Sequence, residues 1–412
     1  MTTPSPRQHA PGAFRALFMA NLSAQFSEQV ALAAAPLVAV LTMQAGAAAT
    51  GLLQSAQTLP FLLLSLPAGV LADRHARAGL MARAEFMRAA SLGLILALYL
   101  SGHLNLIWLA ALGFCGAVGT VVYNVAAPAL VPDLVARSGL ASANRWLELA
   151  RSAAFAAGPA IGGAFVGWIG AAGAYSLAIA LSLLAVIFQM TLPKEPPITR
   201  NQRHPVVELA EGWQFVMRHR LLKPMFLCSI IYNIGFFMIQ GVFVAYGVHH
   251  LGMGAKTVGL VLACFGFGML CSGLISPWLM ARLRPGLTIL LGPTAGLGAA
   301  LMVALSITFP STLLVALAFY LLGLGAILWV IATVTVRQIT APGVLLGRVS
   351  AVMVTGGFGA RPLGAALAAG IAAVWGVDAC LYGAALCFLA QWLVILASPV
   401  PGLRSYGEAT PA

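Results

Sequence analysis

Long apolar runs alternate with short polar breaks along almost the whole chain of 412 residues. Each run is long enough to cross a bilayer as a helix, which takes about 20 residues. A polar stretch from Pro193 to Arg220 divides the series after the sixth run, so the pattern predicts twelve membrane helices in two groups of six. The runs fall at about 14 to 43, 51 to 72, 84 to 101, 105 to 131, 142 to 168, 171 to 192, 221 to 248, 256 to 280, 286 to 308, 311 to 336, 350 to 375 and 378 to 398.

The same pattern divides the chain into tails, bundles and a linker. Trp168 precedes Tyr175 by the same spacing at which Trp375 precedes Tyr382, an echo expected of two parallel structural repeats. The predicted fold is an all-α integral membrane protein with two pseudo-symmetric six-helix bundles. Its parts are an N-terminal tail (1–13), a first bundle (14–192), a linker (193–220) whose residues 206–217 could form a short amphipathic helix, a second bundle (221–398) and a C-terminal tail (399–412).

Composition excludes a water-soluble protein and explains the positive charge. With 61% hydrophobic and 8% charged residues, the chain cannot build a polar surface. The net charge of +12 would suit a nucleic-acid partner, but the basic residues lie almost wholly in alternate loops. Lys and Arg mark cytoplasmic loops, so we expect an inner-membrane protein with both termini and the linker in the cytoplasm, and no nucleic-acid partner. Lys256 is the one basic residue on the other side.

A glycine-proline break interrupts the fifth predicted helix at Gly158-Pro159-x-x-Gly162-Gly163. Pro159 has no N–H, so the helix should bend there, and the spaced glycines let a neighbouring backbone come close. The glycines fit a moving part or a static packing motif. Arg151 lies on the same face as Gly158, and because a charge in the bilayer usually faces a partner or a water-filled cavity, it favours the moving part.

This segment resembles the core of the antiporter motif of the major facilitator superfamily, although Ala154 and Arg145 stand in the places of two of its glycines. The residues from Gly69 to Arg77 resemble the loop signature of the same superfamily between its second and third helices, with Ala76 replacing a glycine. The resemblance implies a conformational latch that opens when the two bundles rock. Its residues would be Gly69, Asp73, Arg74 and Arg77, and the alternative is a polar turn that only follows the distribution of basic loops.

Glu28 is the only carboxylate that these predicted spans place deep in the bilayer, and it shares a helix face with Asn21 and Gln25. Desolvation favours the neutral form of a buried carboxyl, which makes Glu28 a candidate for proton coupling together with Arg151 and Arg361. The alternative is a structural ion pair.

The resemblance to the superfamily also implies a central cavity lined by helices 1, 2, 4, 5, 7, 8, 10 and 11, and the mid-membrane charges are expected only on helices 1, 5 and 11. Any single polar residue could instead join two helices. The candidates for the substrate cavity are the polar residues Asn21, Gln25, Gln54, Gln57, Tyr123, Asn124, Asn233, Gln240, Trp329 and Thr333.

The sequence offers no support for catalysis, a cofactor or a metal site. It has no phosphate-binding glycine loop of the GxxxxGK[ST] type and no nucleophile elbow, and its six cysteines lack ligand spacing. His249 and His250 could have a metal or pH role, but a solvated loop pair is the simpler interpretation.

The whole chain resembles a major facilitator transporter, and around helix five it resembles the bacterial branch that includes enterobactin exporters and macrolide-efflux proteins. The resemblance implies proton-driven export of a small amphipathic molecule, such as a siderophore, macrolide or other drug, by alternating access and as a monomer. The alternatives are a proton-coupled importer and a non-transporting membrane sensor or scaffold.

Overall fold

The computed structural model describes residues 11–136, 139–193, 205–342 and 345–405, and these are helical almost throughout. Short connections link the helices, as the polar breaks in the sequence predict. The helices are α1 (Pro11–Met43), α2 (Ala47–Arg74), α3 (Arg77–Leu100), α4 (Leu106–Leu134), α5 (Leu140–Ile169), α6 (Ala171–Met190), α7 (Pro205–Arg218), α8 (Leu222–His249), α9 (Ala255–Arg282), α10 (Pro285–Thr308), α11 (Thr312–Thr340) and α12 (Leu346–Leu396).

In the described part of the chain, ten helices are long and apolar enough to cross a membrane. Helix α3 is not among them because its charged residues lower its hydropathy. Helix α12 has 51 residues and would be about 76 Å long if straight, more than twice the thickness of a hydrocarbon core. Gly376 breaks it with a φ of 84°, a conformation that L side chains rarely adopt. With α3 and the two parts of α12, the fold is consistent with twelve membrane segments.

The two bundles repeat the same local structures at a constant offset. We call α1–α6 the first half and α8–α12 the second half. Asn105 caps the N-terminus of α4 and Ser311 caps that of α11, each by accepting a backbone N–H. Gly170 turns the chain between α5 and α6 with a φ of 81°, and Gly376 makes the matching turn in α12. Each pair is 206 positions apart, which supports two parallel repeats.

Glycines bring the helices of each half into backbone contact. A methyl group at Gly158 would lie 2.5 Å from the Cβ of Gln29, and one at Gly162 would lie 3.0 Å from the carbonyl oxygen of Val30, both on α1. In the second half Gly364 of α12 abuts the carbonyl oxygen of Ile234 on α8 in the same way. Helix five of each repeat therefore packs closely on helix one of that repeat, because neither position carries a side chain.

Several close approaches at glycines also join the halves to each other, and two of them lie near one membrane face. A methyl group at Gly163 of α5 would lie 2.6 Å from the carbonyl oxygen of Ala255 on α9, and one at Gly51 of α2 would lie 2.9 Å from the backbone nitrogen of Ala369 on α12. Both contacts lie toward the helix ends away from the chain tails and α7. We call that membrane face the far side and the opposite face the tail side. The halves are closed against each other on the far side.

Helix α7 lies where the sequence predicts the short helix of the linker, and it packs against the second half. The ring of Trp213 meets that of Phe226 edge-on at 5.6 Å, and the Nη1 of Arg348 donates to the Oε2 of Glu211. Val216 is completely buried between α7 and its neighbours. The helix is therefore attached to the protein through its apolar face.

Candidate functional site

A cavity of about 490 Å³ lies between the two halves in the middle of the membrane segments. Most of its wall comes from α1, α2, α4 and α5 of the first half and from α8, α9, α11 and the first part of α12, which are the helices expected from the superfamily resemblance. Helices α3, α6 and α10 and the second part of α12 also contribute residues.

The structure divides the polar and charged residues that were singled out in the sequence into two groups, those that line the cavity and those that do not. Pro159 of the helix-five motif also lines the cavity. The predicted residues that line the cavity are Glu28, Gln54, Gln57, Arg151, Asn233, Gln240, Trp329 and Arg361. The predicted residues that do not line it are Asn21, Gln25, Tyr123, Asn124 and Thr333.

The second group shows why polarity alone could not place these side chains. Asn21 donates to the carbonyl oxygen of Leu147 at 3.3 Å, and the hydroxyl of Tyr123 donates to the Oδ1 of Asn21 at 3.5 Å. Thr333 donates to a carbonyl of its own helix, that of Trp329, at 2.7 Å. Gln25 is buried, and Asn124 is exposed. Polar side chains in membrane helices commonly join helices in this way.

A buried ion cluster lies beside the cavity in the first half. Arg88 of α3 contacts the Oε1 of Glu85 at 2.9 Å and donates to the carbonyl oxygen of Ala24 at 3.0 Å and to the Oγ1 of Thr120 at 2.7 Å. The other oxygen of Glu85 accepts from Ser182 of α6 at 2.8 Å. Arg88 is 4% exposed and Glu85 is completely buried. These bonds tie α3 to α1, α4 and α6.

Glu28 of α1 is the loosely held member of this cluster. Its Oε2 lies 3.8 Å from an Nη of Arg88, and its side chain keeps 16% of its surface exposed, toward the cavity. The cluster therefore contains two carboxylates for one guanidinium, with Glu85 in the tight contact. A buried negative charge without a close partner is costly, so Glu28 is the group at which a proton would relieve the imbalance.

This cluster corrects two predictions from the sequence. Glu28 is not the only carboxylate deep in the membrane, and the buried charges are not confined to helices 1, 5 and 11, since α3 carries Glu85 and Arg88. The third span was expected to begin at residue 84, but α3 begins at Arg77, which moves both side chains two to three turns into the helix. The opposite charges three residues apart were the available signal.

Arg151 faces the cavity but already has a partner. Its Nε donates to both carboxylate oxygens of Glu148, one turn earlier on α5, at 3.0 and 3.1 Å. Its side chain is 38% exposed, and its guanidinium lies 5.8 Å from the ring centre of Phe155. Arg151 therefore lines the cavity with its charge neutralised by Glu148.

Arg361 of α12 lies among aromatic rings. The Cζ of its guanidinium is 3.8 Å from the ring centre of Phe358, 5.3 Å from that of Phe237 and 5.4 Å from that of Phe61. Its Nε donates to the Oδ1 of Asn233 at 3.3 Å. No carboxylate of the described residues lies within ion-pair distance of it. Arg361 and Arg337 are the two arginines of the cavity wall without an acidic partner among the described residues, and Arg361 is the one enclosed by aromatic rings.

The structure gives little information on the predicted latch residues and on the remaining candidates. The side chains of Asp73 and Arg74 lie outside the described part, and a methyl group at Gly69 would meet no atom within 4 Å. His249 and His250 are exposed, with the ring of His250 stacked on Tyr246 at 5.0 Å. The described residues contain no group of three or more His, Cys, Asp or Glu that could hold a metal.

The twelve segments, the two parallel repeats and the central cavity are the features of a membrane transporter of the major facilitator type. The chain belongs to the family described as transmembrane secretion effector, whose model matches residues 3–410. The enterobactin exporter EntS of Escherichia coli O1:K1 / APEC is 28% identical over 312 residues, which cover 74% of this chain and 72% of EntS. The EntS of Shigella dysenteriae serotype 1 matches with the same identity and coverage.

Solved transporter structures share the fold at low sequence identity. The nucleoside transporter NupG has a TM-score of 0.71 at 13% identity and covers 93% of this chain and 98% of its own. A bacterial homologue of the iron transporter ferroportin matches with a TM-score of 0.71 in its inward-facing state and 0.61 in its outward-facing state, at 15% identity, covering 93% of this chain and 98% of its own.

Proposed function

We propose that this transporter exports a small amphipathic molecule in exchange for protons by alternating access, with Glu28 carrying the coupled proton. It would lie in the inner membrane with the tail side facing the cytoplasm, since the basic residues concentrate there. The observation that carries the proposal is the position of Glu28, at the cavity wall beside a guanidinium that is already bound by Glu85.

The cluster supplies the chemistry that proton exchange needs. Arg88 and Glu85 stay together in every state because both lie on α3, and α3 belongs to the first half with Glu28. A cation that can move relative to Glu28 is Arg361, on α12 of the second half, which lines the same cavity as Glu28. A carboxylate holds its proton less tightly near a cation than in apolar surroundings. Rocking of the halves would therefore load and unload the proton.

The contacts between the halves and the linker proposed from the sequence fit this motion. The contacts between halves at Gly163 and Gly51 are backbone contacts, and such surfaces can separate without breaking ion pairs. The linker at 193–220 would connect the moving bodies on the cytoplasmic face. The tight glycine contacts of Gly158 and Gly162 with α1 would keep α5 fixed inside the first half.

Export is preferred over import because the relatives are named as exporters and the family as a secretion effector. A non-transporting sensor or scaffold has no need for a loosely paired carboxylate at a cavity wall. The relatives' named substrate makes a siderophore the first candidate, and a thermal-shift screen of siderophores, macrolides and dyes would select the molecule for transport assays.

The test is Glu28→Gln in proteoliposomes, with Glu148→Gln as a control, because Glu148 is also a first-half carboxylate paired with an arginine. The glutamine keeps the shape of Glu28 but cannot titrate. We expect the Glu28 variant to exchange substrate down its own gradient and to lose accumulation driven by a pH gradient, while the control keeps both. Uphill accumulation by Glu28→Gln on a pH gradient alone would show that Glu28 is a structural ion-pair residue.

A further inference from the structure

We propose that Arg361 and the aromatic rings around it form a subsite for an organic anion, a molecule with a carboxylate or phenolate directly beside an aromatic ring. This proposal rests on the proposed transport function and names its substrate class. The Arg361 subsite consists of Arg361, Phe61, Phe237, Phe358, Tyr232 and Asn233, all of which line the central cavity.

The arrangement of the guanidinium leaves its hydrogen-bonding edge available. Phe358 lies against it at 3.8 Å, with Phe237 and Phe61 farther out at 5.3 and 5.4 Å, so aromatic surface surrounds the group. Within the described residues, Asn233 is the one hydrogen-bond acceptor for the Arg361 side chain, and it accepts from the Nε. The Nη groups therefore remain as a planar pair of donors, the geometry with which arginine binds a carboxylate through two bonds.

The charge of Arg361 is uncompensated at close range. Arg88 has Glu85, and Arg151 has Glu148, but no carboxylate of the described part lies within 4.0 Å of Arg361. Removing a cation from water without a paired anion is unfavourable, and an anionic ligand would supply that partner. A single guanidinium matches a single negative charge.

A second polar group of the subsite also lacks a partner. The hydroxyl of Tyr232 is buried and makes no hydrogen bond, although buried polar groups in proteins almost always do. The ring of Tyr232 is fixed by stacking on Phe236 at 5.7 Å with an interplanar angle of 7°, and by an edge contact with Phe388 at 5.6 Å. The fixed ring of Tyr232, together with the phenylalanine rings, fits an aromatic ring attached to the anion.

The subsite is built from both halves. Phe61 comes from α2, whereas Arg361, Phe237 and Phe358 come from α12 and α8, and the rings of Phe61 and Phe358 meet edge-on at 6.0 Å. A ligand held here contacts both halves in this conformation and loses the ring of Phe61 when they separate around it. Because Glu28 and Arg361 line the same cavity, a bound anion would compete with the Glu28 carboxylate for this cation as the halves move. Such competition is what exchange of substrate for a proton requires.

The experiment is equilibrium dialysis of the full-length protein in detergent, without any gradient, against three probes with one ring system. The probes are 1-naphthoate, its neutral amide, and the cation 1-naphthylmethylammonium. We expect naphthoate to bind at least tenfold more tightly than either of the others, because a hydrogen bond to a charged group is lost with the charge. Equal binding of naphthoate and the amide to the wild-type protein would overturn the proposal, and this comparison needs no variant to fold.

Three variants locate the effect. Arg361→Gln should weaken naphthoate binding about ten- to a hundredfold, to the level of the amide, and Arg361→Lys should restore part of it. Arg337→Gln is the matched control, since Arg337 lines the same cavity but is not surrounded by aromatic rings, and it should change binding by less than about threefold. Equal losses in the Arg361→Gln and Arg337→Gln proteins would replace the subsite with a diffuse positive field.

The outcome is separable from that of the transport test. Glu28→Gln should still bind naphthoate, because the proposed anion site does not include that carboxylate. Undiminished proton-driven accumulation by Glu28→Gln, with naphthoate binding retained, would contradict the coupling proposal alone. If the wild-type protein couples transport to protons but binds naphthoate no more tightly than the amide, the anion subsite alone would be contradicted.

Discussion

The contact between α5 and α9 gives a direct way to move the conformational equilibrium. In Gly163→Ala the new methyl group would lie 2.6 Å from the carbonyl oxygen of Ala255 and 2.8 Å from the Cα of Gly259. Both atoms belong to the backbone of α9, so no side chain can rotate away and the helices must separate. Overpacking of this kind costs about 1 to 3 kcal/mol.

The overpacking affects only one conformational state because α5 and α9 belong to different halves. The methyl group raises the free energy of the conformation closed on the far side and leaves that of the conformation open there unchanged. The population ratio should therefore shift toward the far-side-open state by about 5- to 150-fold. Gly119→Ala is the matched control: its methyl group would lie 2.5 Å from the carbonyl oxygen of Ala84, but both residues are in the first half. The Gly119→Ala methyl group therefore raises the free energy of the closed and open conformations equally.

Electron spin-label distances on the far side measure this shift. Ser101 and Thr308 are exposed there, one at the end of α3 and the other at the end of α10, and so report on opposite halves. In a background without the six native cysteines, Gly163→Ala should populate a longer distance between labels at these positions, and Gly119→Ala should not. An unchanged distance distribution in a folded Gly163→Ala protein would refute the assignment of this contact as a gate.

Three further changes test other parts of the account. Asp73→Asn should leave the protein folded and shift the balance between access states by about 1 kcal/mol, seen as altered cysteine accessibility on both faces; unchanged accessibility and transport would count against the latch. Arg88→Gln should lower the free energy of unfolding by about 3 to 5 kcal/mol because it leaves Glu85 buried without a cation, and an unchanged melting temperature would show that the pair is not structural. In Pro205→Cys the thiol should react only with reagents applied from the cytoplasm, and labelling from outside would reverse the topology.

The membrane segments could be predicted from the sequence because apolar runs of spanning length seldom occur outside a bilayer. The third span shows where that reasoning fails. Arg83, Glu85 and Arg88 lower its local hydropathy, so its beginning was placed seven residues too late and its buried ion pair was overlooked. Opposite charges that neutralise each other inside a bundle look the same in sequence as charges in a loop, and only the neighbouring helices distinguish the two.

The cavity could be predicted only in part for a related reason. Gln57 and Asn233 line the cavity, whereas Asn21 and Thr333 donate to backbone carbonyls. When a helix is apolar on all sides, its sequence does not show whether a single polar residue faces the cavity or a neighbouring helix. Arg361 could be recognised from the sequence because an arginine in the middle of a membrane span is rare. Its aromatic surroundings come from α2, α8 and α12, helices that are far apart in the chain.

The central claim is that Glu28 couples substrate movement to a proton, and a measurement of proton flux tests it most directly. Proteoliposomes loaded with a pH-sensitive dye would receive a gradient of the substrate selected by the thermal-shift screen, with no pH gradient imposed. We predict that substrate leaving the vesicles drives protons inward through the wild-type protein and through Glu148→Gln, and that Glu28→Gln moves substrate with no change in internal pH. Substrate movement through the wild-type protein without any proton signal, or an undiminished signal from Glu28→Gln, would contradict the claim.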